Sequence, residues 1–162
     1  MFKIGEHLIH PGQGVCTVMG FRDDTPQPMI LLEAKSGHAK TIIMYPVAQS
    51  DKLHPTISRD DAEDILANYG AIEVDDFTER NSSLEETYFK QELKQGAPAT
   101  VRVAKTMRHR IDQAIANDKK PSSYYTRVLK EAQRRSVEEF AVALDCSEED
   151  AAARFEAVAG IN

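Results

Sequence analysis

The side chains in this chain with types and spacing best suited to chemistry are cations. If the segment after Pro98 is helical, Arg102, Lys105 and His109 fall at i, i+3 and i+7, with Arg108 beside them, and Arg127, Lys130 and Arg134 form a second such stripe. Residues so spaced share one helix face. Two such faces can neutralise phosphates along a duplex, with an affinity that depends on salt and hardly on sequence. A solvated helix face carries the same pattern, so that reading stands beside the first. Lys90, Lys119 and Lys120 complete the candidate phosphate contacts. The other chemical constellations are weaker. Asp60, Asp61, Glu63 and Asp64 form the densest carboxylate cluster, but they lack a His or Cys partner and sit where a helix start favours acids. His7, His10, His38 and Cys16 could be drawn into a metal site on paper. The His7-x-x-His10 spacing, however, sends two side chains of a strand to opposite faces. Gly12-x-Gly14 is not succeeded by a helix and so is neither a dinucleotide fingerprint nor a P-loop. No metal, no cofactor and no enzymatic activity is expected.

The 162 residues carry a formal charge of −6, which taken alone argues against a polyanionic partner. The distribution reverses that argument. Residues 1–89 hold 7 Lys/Arg against 15 Asp/Glu, residues 90–135 hold 12 against 4, and residues 136–162 hold 1 against 7. A basic segment between two acidic ones can present a local positive surface.

The elements that must position these groups fall into two textures. From Phe2 to Tyr45, apolar runs at Ile4, Leu8-Ile9, Val15–Met19, Met29–Leu32 and Thr41–Tyr45 alternate with turn residues at 11–14, 23–28 and Ser36-Gly37-His38. Five short strands with no room for a helix between them predict a small antiparallel Tudor- or SH3-like β-barrel. Thr41–Tyr45, at its close, is either a paired interior strand or an open edge able to accept a partner's strand. After Val47 the apolar spacing becomes helical. Ser58 starts a helix that Gly70 ends, and Asp75–Ser83 reads as a polar linker. Ser82 and Ser83, with Glu85 and Glu86 three residues on, form overlapping capping boxes for a helix that Gly96 stops. Pro98 opens the next helix, Ser122 or Ser123 the longest one, and Ser147 the last.

The fold class is therefore α+β in two domains. A Tudor-like module spans 1–56, a connecting helix and linker 57–82, and an all-α helical bundle with a basic face 83–162. The N-terminus lacks the apolar run of a secretory signal, and no stretch approaches the ~20 residues of a membrane span, so a cytoplasmic protein without membrane association is expected. Cys16 and Cys146 are far apart and belong to no CxxC pair; both are read as reduced, mostly buried thiols.

The opening Phe2-Lys3-Ile4-Gly5-Glu6, followed by His10-Pro11-Gly12-Gln13-Gly14-Val15, resembles the start of CarD and CdnL proteins, a module shared with the transcription-repair coupling factor. Lys40 to Val47, ending Met44-Tyr45-Pro46-Val47, is similar to that family's last barrel strand and its Pro-Val exit. Leu93-Lys94-Gln95-Gly96, the Val-rich helix after it, Ser122 and Leu129-Lys130-Glu131-Ala132 are similar to its C-terminal domain. The resemblance implies a Tudor-like domain that binds the β subunit of RNA polymerase, partly by strand pairing through Lys40, Thr41, Ile42, Ile43, Met44 and Tyr45. It also implies a helical domain lying against promoter DNA at the upstream edge of the transcription bubble. Such a protein, expected as a monomer, shifts the stability of the open complex and catalyses nothing.

One feature departs from that family. Many members carry a Trp and basic neighbours before the Gly matched to Gly96, and that Trp wedges at the fork of melted DNA. Counting back about fourteen positions gives Ser82, the chain has no Trp, and Glu85 and Glu86 stand where positive charge belongs. Tyr88 or Phe89 is the nearest aromatic substitute. The runner-up function is accordingly a protein-interaction adaptor that binds polymerase or another partner without engaging DNA.

Overall fold

A computed structural model describes residues 2–35 and 40–160. The turn expected at Ser36-Gly37-His38 lies outside them. The chain divides into two compact units, Met1–Ser58 and Arg59–Asn162.

In the first unit, β1 (His7–His10), β2 (Gly14–Arg22), β3 (Met29–Ala34), β4 (Thr41–Pro46) and the two-residue β5 (His54–Pro55) form one antiparallel sheet, in the order β4-β3-β2-β1-β5. The β1–β2 hairpin is closed by His10, whose Nδ1 accepts the backbone N–H groups of Gly12 (3.0 Å) and Gln13 (3.1 Å). Gly14 follows at φ +83°, a conformation that side chains with a Cβ rarely adopt. The fifth strand is not the one expected around Ile4. The chain turns at Gly5, at φ +90°, which leaves Ile4 exposed, and His54–Pro55 comes back after a 3₁₀ turn (Val47–Lys52) to pair with β1. Alternation along β3 is strict: Ile30, Leu32 and Ala34 face the core with Leu8, Cys16, Val18, Tyr45 and Leu53, while Met29, Leu31 and Glu33 face away.

The second unit is built from α1 (Arg59–Ala67), α2 (Ser82–Glu92), α3 (Ala97–Ala116), α4 (Ser123–Leu144) and α5 (Glu148–Ala159). The helix over 59–67, expected as part of a connector, belongs to this unit: Arg59 donates to the Leu144 carbonyl (3.1 Å), and Glu63 pairs with Arg154 of α5 through two contacts of 2.8 and 2.7 Å. The cap of α2 differs from the expected serines. Asn81 accepts the Ser83 N–H at 2.8 Å, which leaves Glu85 free to turn inward. Gly96, at φ +108°, turns the chain between α2 and α3.

Glu85 is 7% exposed and holds the middle of the bundle together. Its Oε1 accepts from Arg110 Nη1 (2.9 Å) and from the Tyr124 hydroxyl, and its Oε2 accepts the Glu79 N–H (2.9 Å). Arg110 lies over the Phe89 ring (4.9 Å) and donates Nη2 to the carbonyls of Asp75 (3.0 Å) and Phe77. Asp75, also buried, accepts the Tyr88 hydroxyl at 2.7 Å, while its own N–H donates to Thr106 Oγ1 at 2.9 Å. The segment 75–79, expected as a polar linker, is thus strapped onto α2 and α3, and Phe77 stacks on Tyr88 at 3.9 Å.

Two outcomes follow from this network. Arg110→Ala leaves Glu85 buried without its cation and is expected to destabilise the chain by about 3–5 kcal/mol in urea unfolding followed by circular dichroism. The hydrogen bond to Asp75, together with burial, holds the Tyr88 phenol up at about 12, against an ordinary value of 10.0. A raised folded-state value means that the stabilisation is complete below pH 10 and fades as the pH climbs toward 12. The stability difference between the native chain and Tyr88→Phe, measured by urea unfolding across pH 8–12, should therefore be flat to about pH 10 and then shrink.

Candidate functional site

Within the first unit, the expected docking strand is found at a sheet edge. β4 pairs with β3 on one side, with Leu31 opposite Met44 and Glu33 opposite Ile42, and among the described residues no strand pairs with its other side. Its outward-facing residues are apolar: Ile42 is 53% exposed and Met44 43%. Tyr45 points inward, its ring edge-on to His10 at 5.3 Å, and burial raises its phenol above the ordinary value. Ile43 packs partly against the core, and Lys40 and Thr41 are exposed at the start of the strand. The six residues Lys40–Tyr45 therefore divide by face: Ile42 and Met44 are available on the outer surface, whereas Ile43 and Tyr45 support them from within.

Sequence reasoning missed the neighbours that widen this surface. Leu31 faces the same way as Met44, and its partner on β2 is Gly20, where an added Cβ would have nothing within 4 Å. Met19 on β2 is exposed as well; beyond it a bulge between Val18 and Gly20 shifts the register, so that exposed Phe21 pairs with Ile30 and lies on the other face of the sheet from Leu31. No pattern of single residues discloses such a bulge; only the register does.

The cations of the second unit are disposed unequally. Arg102 donates Nε to the Glu73 carbonyl (2.8 Å). Lys105 reaches the carbonyls of Tyr69 (2.8 Å) and Ile72 (2.7 Å), and its ammonium lies 4.9 Å from the Tyr69 ring centroid. Both hold the turn after α1 in place. Arg127 pairs with Glu86 at 2.9 Å, and Lys90 pairs with the same carboxylate at 3.0 Å. Those two partners, Lys90 first, hold the Glu86 carboxyl below its ordinary value against the opposing effect of burial. Arg134 lies between Glu131 (2.6 Å) and Glu138 (2.7 Å). Burial alone would raise the Glu131 carboxyl, yet Arg134 and Arg135 hold it low. Lys119, Lys120 and Lys130 are exposed and make no side-chain ion pair or hydrogen bond among the described residues. Arg108 is half-buried beside Tyr69.

The aromatic substitutes for the absent Trp lie in the bundle. Phe89 is fully buried, and Tyr88 is stacked and hydrogen-bonded as described above. Of the histidines, His7 contacts Thr17 Oγ1 at 3.2 Å and His10 serves the hairpin, whereas His38 lies outside the described residues. The acidic residue Glu63 is engaged by Arg154, which lowers its carboxyl through their hydrogen bonds. Cys16 is buried and Cys146 half-buried, and among the described residues the two are not joined to each other.

No curated protein matches the chain. The family model of the CarD-like/TRCF RID domain matches residues 2–57, which are the residues of the β unit and its edge strand. The chain thus carries a CarD-like/TRCF RID domain, a domain of the RNA-polymerase-interacting family, as its N-terminal unit.

Proposed function

We propose that this protein is a cytoplasmic transcription regulator that binds the β subunit of RNA polymerase through its N-terminal unit and modulates the stability of promoter open complexes. The observation that carries the reading is β4: an edge strand with exposed Ile42 and Met44, inside the segment matched by the RID domain family. An edge of this kind offers backbone hydrogen bonds for affinity and alternate side chains for specificity. Polymerase docks against Lys40–Tyr45, and the protein acts as a monomer without catalysis. The helical unit touches duplex DNA weakly and without sequence preference. Its exposed cations at the α3–α4 turn, Lys119 and Lys120, carry that contact together with Lys130, while Lys90, Arg102, Lys105, Arg108, Arg127 and Arg134 lend field rather than direct contact.

A second reading has its own support. Glu86, Glu131 and Glu138 neutralise Lys90, Arg127 and Arg134 within the molecule, as suits an adaptor that binds polymerase and leaves DNA alone.

Two measurements separate these claims. The full chain carrying Ile42→Lys and Met44→Lys should keep its far-ultraviolet spectrum and lose at least about tenfold in affinity for purified polymerase, because the charges occupy the outer face of β4 and leave the core untouched. Undiminished binding would remove the edge strand from the proposal. Retention of the full chain on non-specific duplex should fall with salt at a log–log slope of about −2.7, corresponding to about three phosphates, and should be largely abolished by Lys119→Glu with Lys120→Glu. Absence of retention at low salt, with polymerase binding intact, selects the adaptor.

A further inference from the structure

The β1–β2 turn is closed by the one type of side chain that ordinarily titrates near neutrality. Of the residues between the paired His10 and Gly14, Pro11 has no N–H, and the N–H groups of Gly12 and Gln13 both donate to His10 Nδ1, at 3.0 and 3.1 Å. A ring nitrogen that accepts these bonds carries no proton, so the neutral imidazole holds its hydrogen on Nε2. The turn is fitted to the ring: a Cβ on Gly12 would stand 3.4 Å from His10 Cε1 and 3.6 Å from Nδ1. Turns commonly take such an acceptor from Asp or Asn, neither of which ordinarily changes charge between about pH 5 and 8. Histidine does. The same ring also reaches the docking strand. It lies edge-on to Tyr45 at 5.3 Å, and because β2 and β3 separate β1 from β4 in the sheet, this contact crosses the interior of the unit.

On the reading of β4 as the polymerase-docking strand, we propose that His10 is an acid-released latch on that edge: neutral, it clamps the β1–β2 turn and braces Tyr45, whereas protonation at Nδ1 breaks both backbone bonds and loosens the end of β4. Hydrogen bonds made to the neutral form oppose uptake of the proton. Among the described residues, the titratable and charged groups on the surrounding elements are few. Buried Cys16 on β2 pairs with Leu8, Lys35 follows β3 beside Val15, and the Tyr45 phenol on β4 is kept neutral by burial. Asp51, in the 3₁₀ turn, acts on that phenol, and His54 on β5 stands opposite Ile9. On the same strand, His7 turns to Thr17. Lys35 and a charged His54 disfavour an imidazolium and Asp51 favours it, but all three are exposed and screened by solvent, whereas the backbone bonds to Nδ1 are direct. A folded state that holds the proton more weakly than the unfolded chain loses stability as the pH falls, so the latch is complete above about pH 7 and opens progressively below about pH 6.

Long-range ¹H–¹⁵N correlation of the imidazole rings in the ¹⁵N-labelled full chain, followed from about pH 8 to 4.5, tests the latch itself. His10 is expected as the Nε2–H tautomer, with a proton affinity about tenfold below that of blocked histidine in the same buffer. The amides of Gly12, Gln13 and Tyr45 should move with its midpoint. An Nδ1–H tautomer, or a proton affinity equal to the reference or above it, overturns the proposal. So does a Tyr45 amide that stays fixed while Gly12 and Gln13 move. Purified RNA polymerase supplies the functional readout: between about pH 7.5 and 5.5 the native chain should lose about twofold more affinity than His10→Asn, which keeps an acceptor for the turn and does not titrate. Equal pH dependence of the two chains overturns control of docking. If neither chain binds polymerase at any pH, the docking reading falls, while coupled shifts of His10 and Tyr45 still uphold the latch.

Discussion

A carboxylate that must be buried governs the architecture of the helical unit. Taking a charge out of water costs several kcal/mol unless cation and hydrogen bonds replace its hydration, and the replacement has to be nearly complete. Glu85 meets that demand with Arg110, the Tyr124 hydroxyl and the Glu79 backbone, one from each of three elements packed against α2. The requirement propagates. Arg110 has donors to spare, which fix the carbonyls of Asp75 and Phe77, and Asp75 in turn fixes Tyr88 and Thr106. A chain segment of polar composition is thereby held against the bundle, although it buries little apolar surface beyond Phe77. Because a half-satisfied network of this kind is worse than none, the register between α2, α3 and α4 is specified more sharply than packing of Phe89, Met107 and Val128 alone would require.

The same demand for internal pairing sets what positive charge remains for a partner. A helix face read from sequence counts every Lys and Arg as outward charge, but a guanidinium with five donors is also the side chain best suited to tie off carbonyls and carboxylates at element ends. Arg102 and Lys105 secure the turn after α1, and Arg134 sits between two glutamates of its own helix. Exposed pairs such as Lys90 with Glu86 cost little to open, so their cations are attenuated rather than withdrawn. Much of the positive charge of residues 90–135 is therefore engaged within the unit, whereas Lys119 and Lys120 are exposed and make no side-chain ion pair among the described residues.

The parts of the fold that were legible in the sequence are those decided by neighbours along the chain. Strict alternation on β3, Gly96 between two helices, Pro98 in a first turn and Ser147 before α5, where its hydroxyl accepts the Asp150 N–H at 3.0 Å, all follow from local sterics and local hydrogen bonds. What was illegible depended on groups distant in the chain. Ser82 and Ser83 look like better caps than Asn81 until Glu85 is required elsewhere; a capping box needs that glutamate to reach back, and the bundle uses it inward. A two-residue strand such as His54–Pro55 has no periodicity to detect, and Ile4 has the composition of a strand residue but precedes a turn that Gly5 makes. Among the candidate site residues, the sequence located β4 but not which of its side chains look outward, because that is set by pairing with β3.

The chemistry of β4 shows how an exposed apolar edge can persist at the side of this sheet. Open edges with apolar side chains invite pairing between copies, and proteins ordinarily blunt them with charge, proline or brevity. Here Lys40 precedes the strand and Pro46, which has no N–H to offer, ends it, so the strand is short and closed at its far end. Between them, Ile42 and Met44 stay uncovered, and Glu33, across from Ile42, places a carboxylate beside the apolar pair. Glu33 lies one strand in from the edge, so a second copy pairing there would set its own Glu33 three strand spacings, about 14 Å, away, too far to oppose the pairing. Brevity and the flanking Lys40 and Pro46 are thus what limit self-pairing, while the uncovered Ile42 and Met44 remain compatible with the docking proposed for a different protein surface.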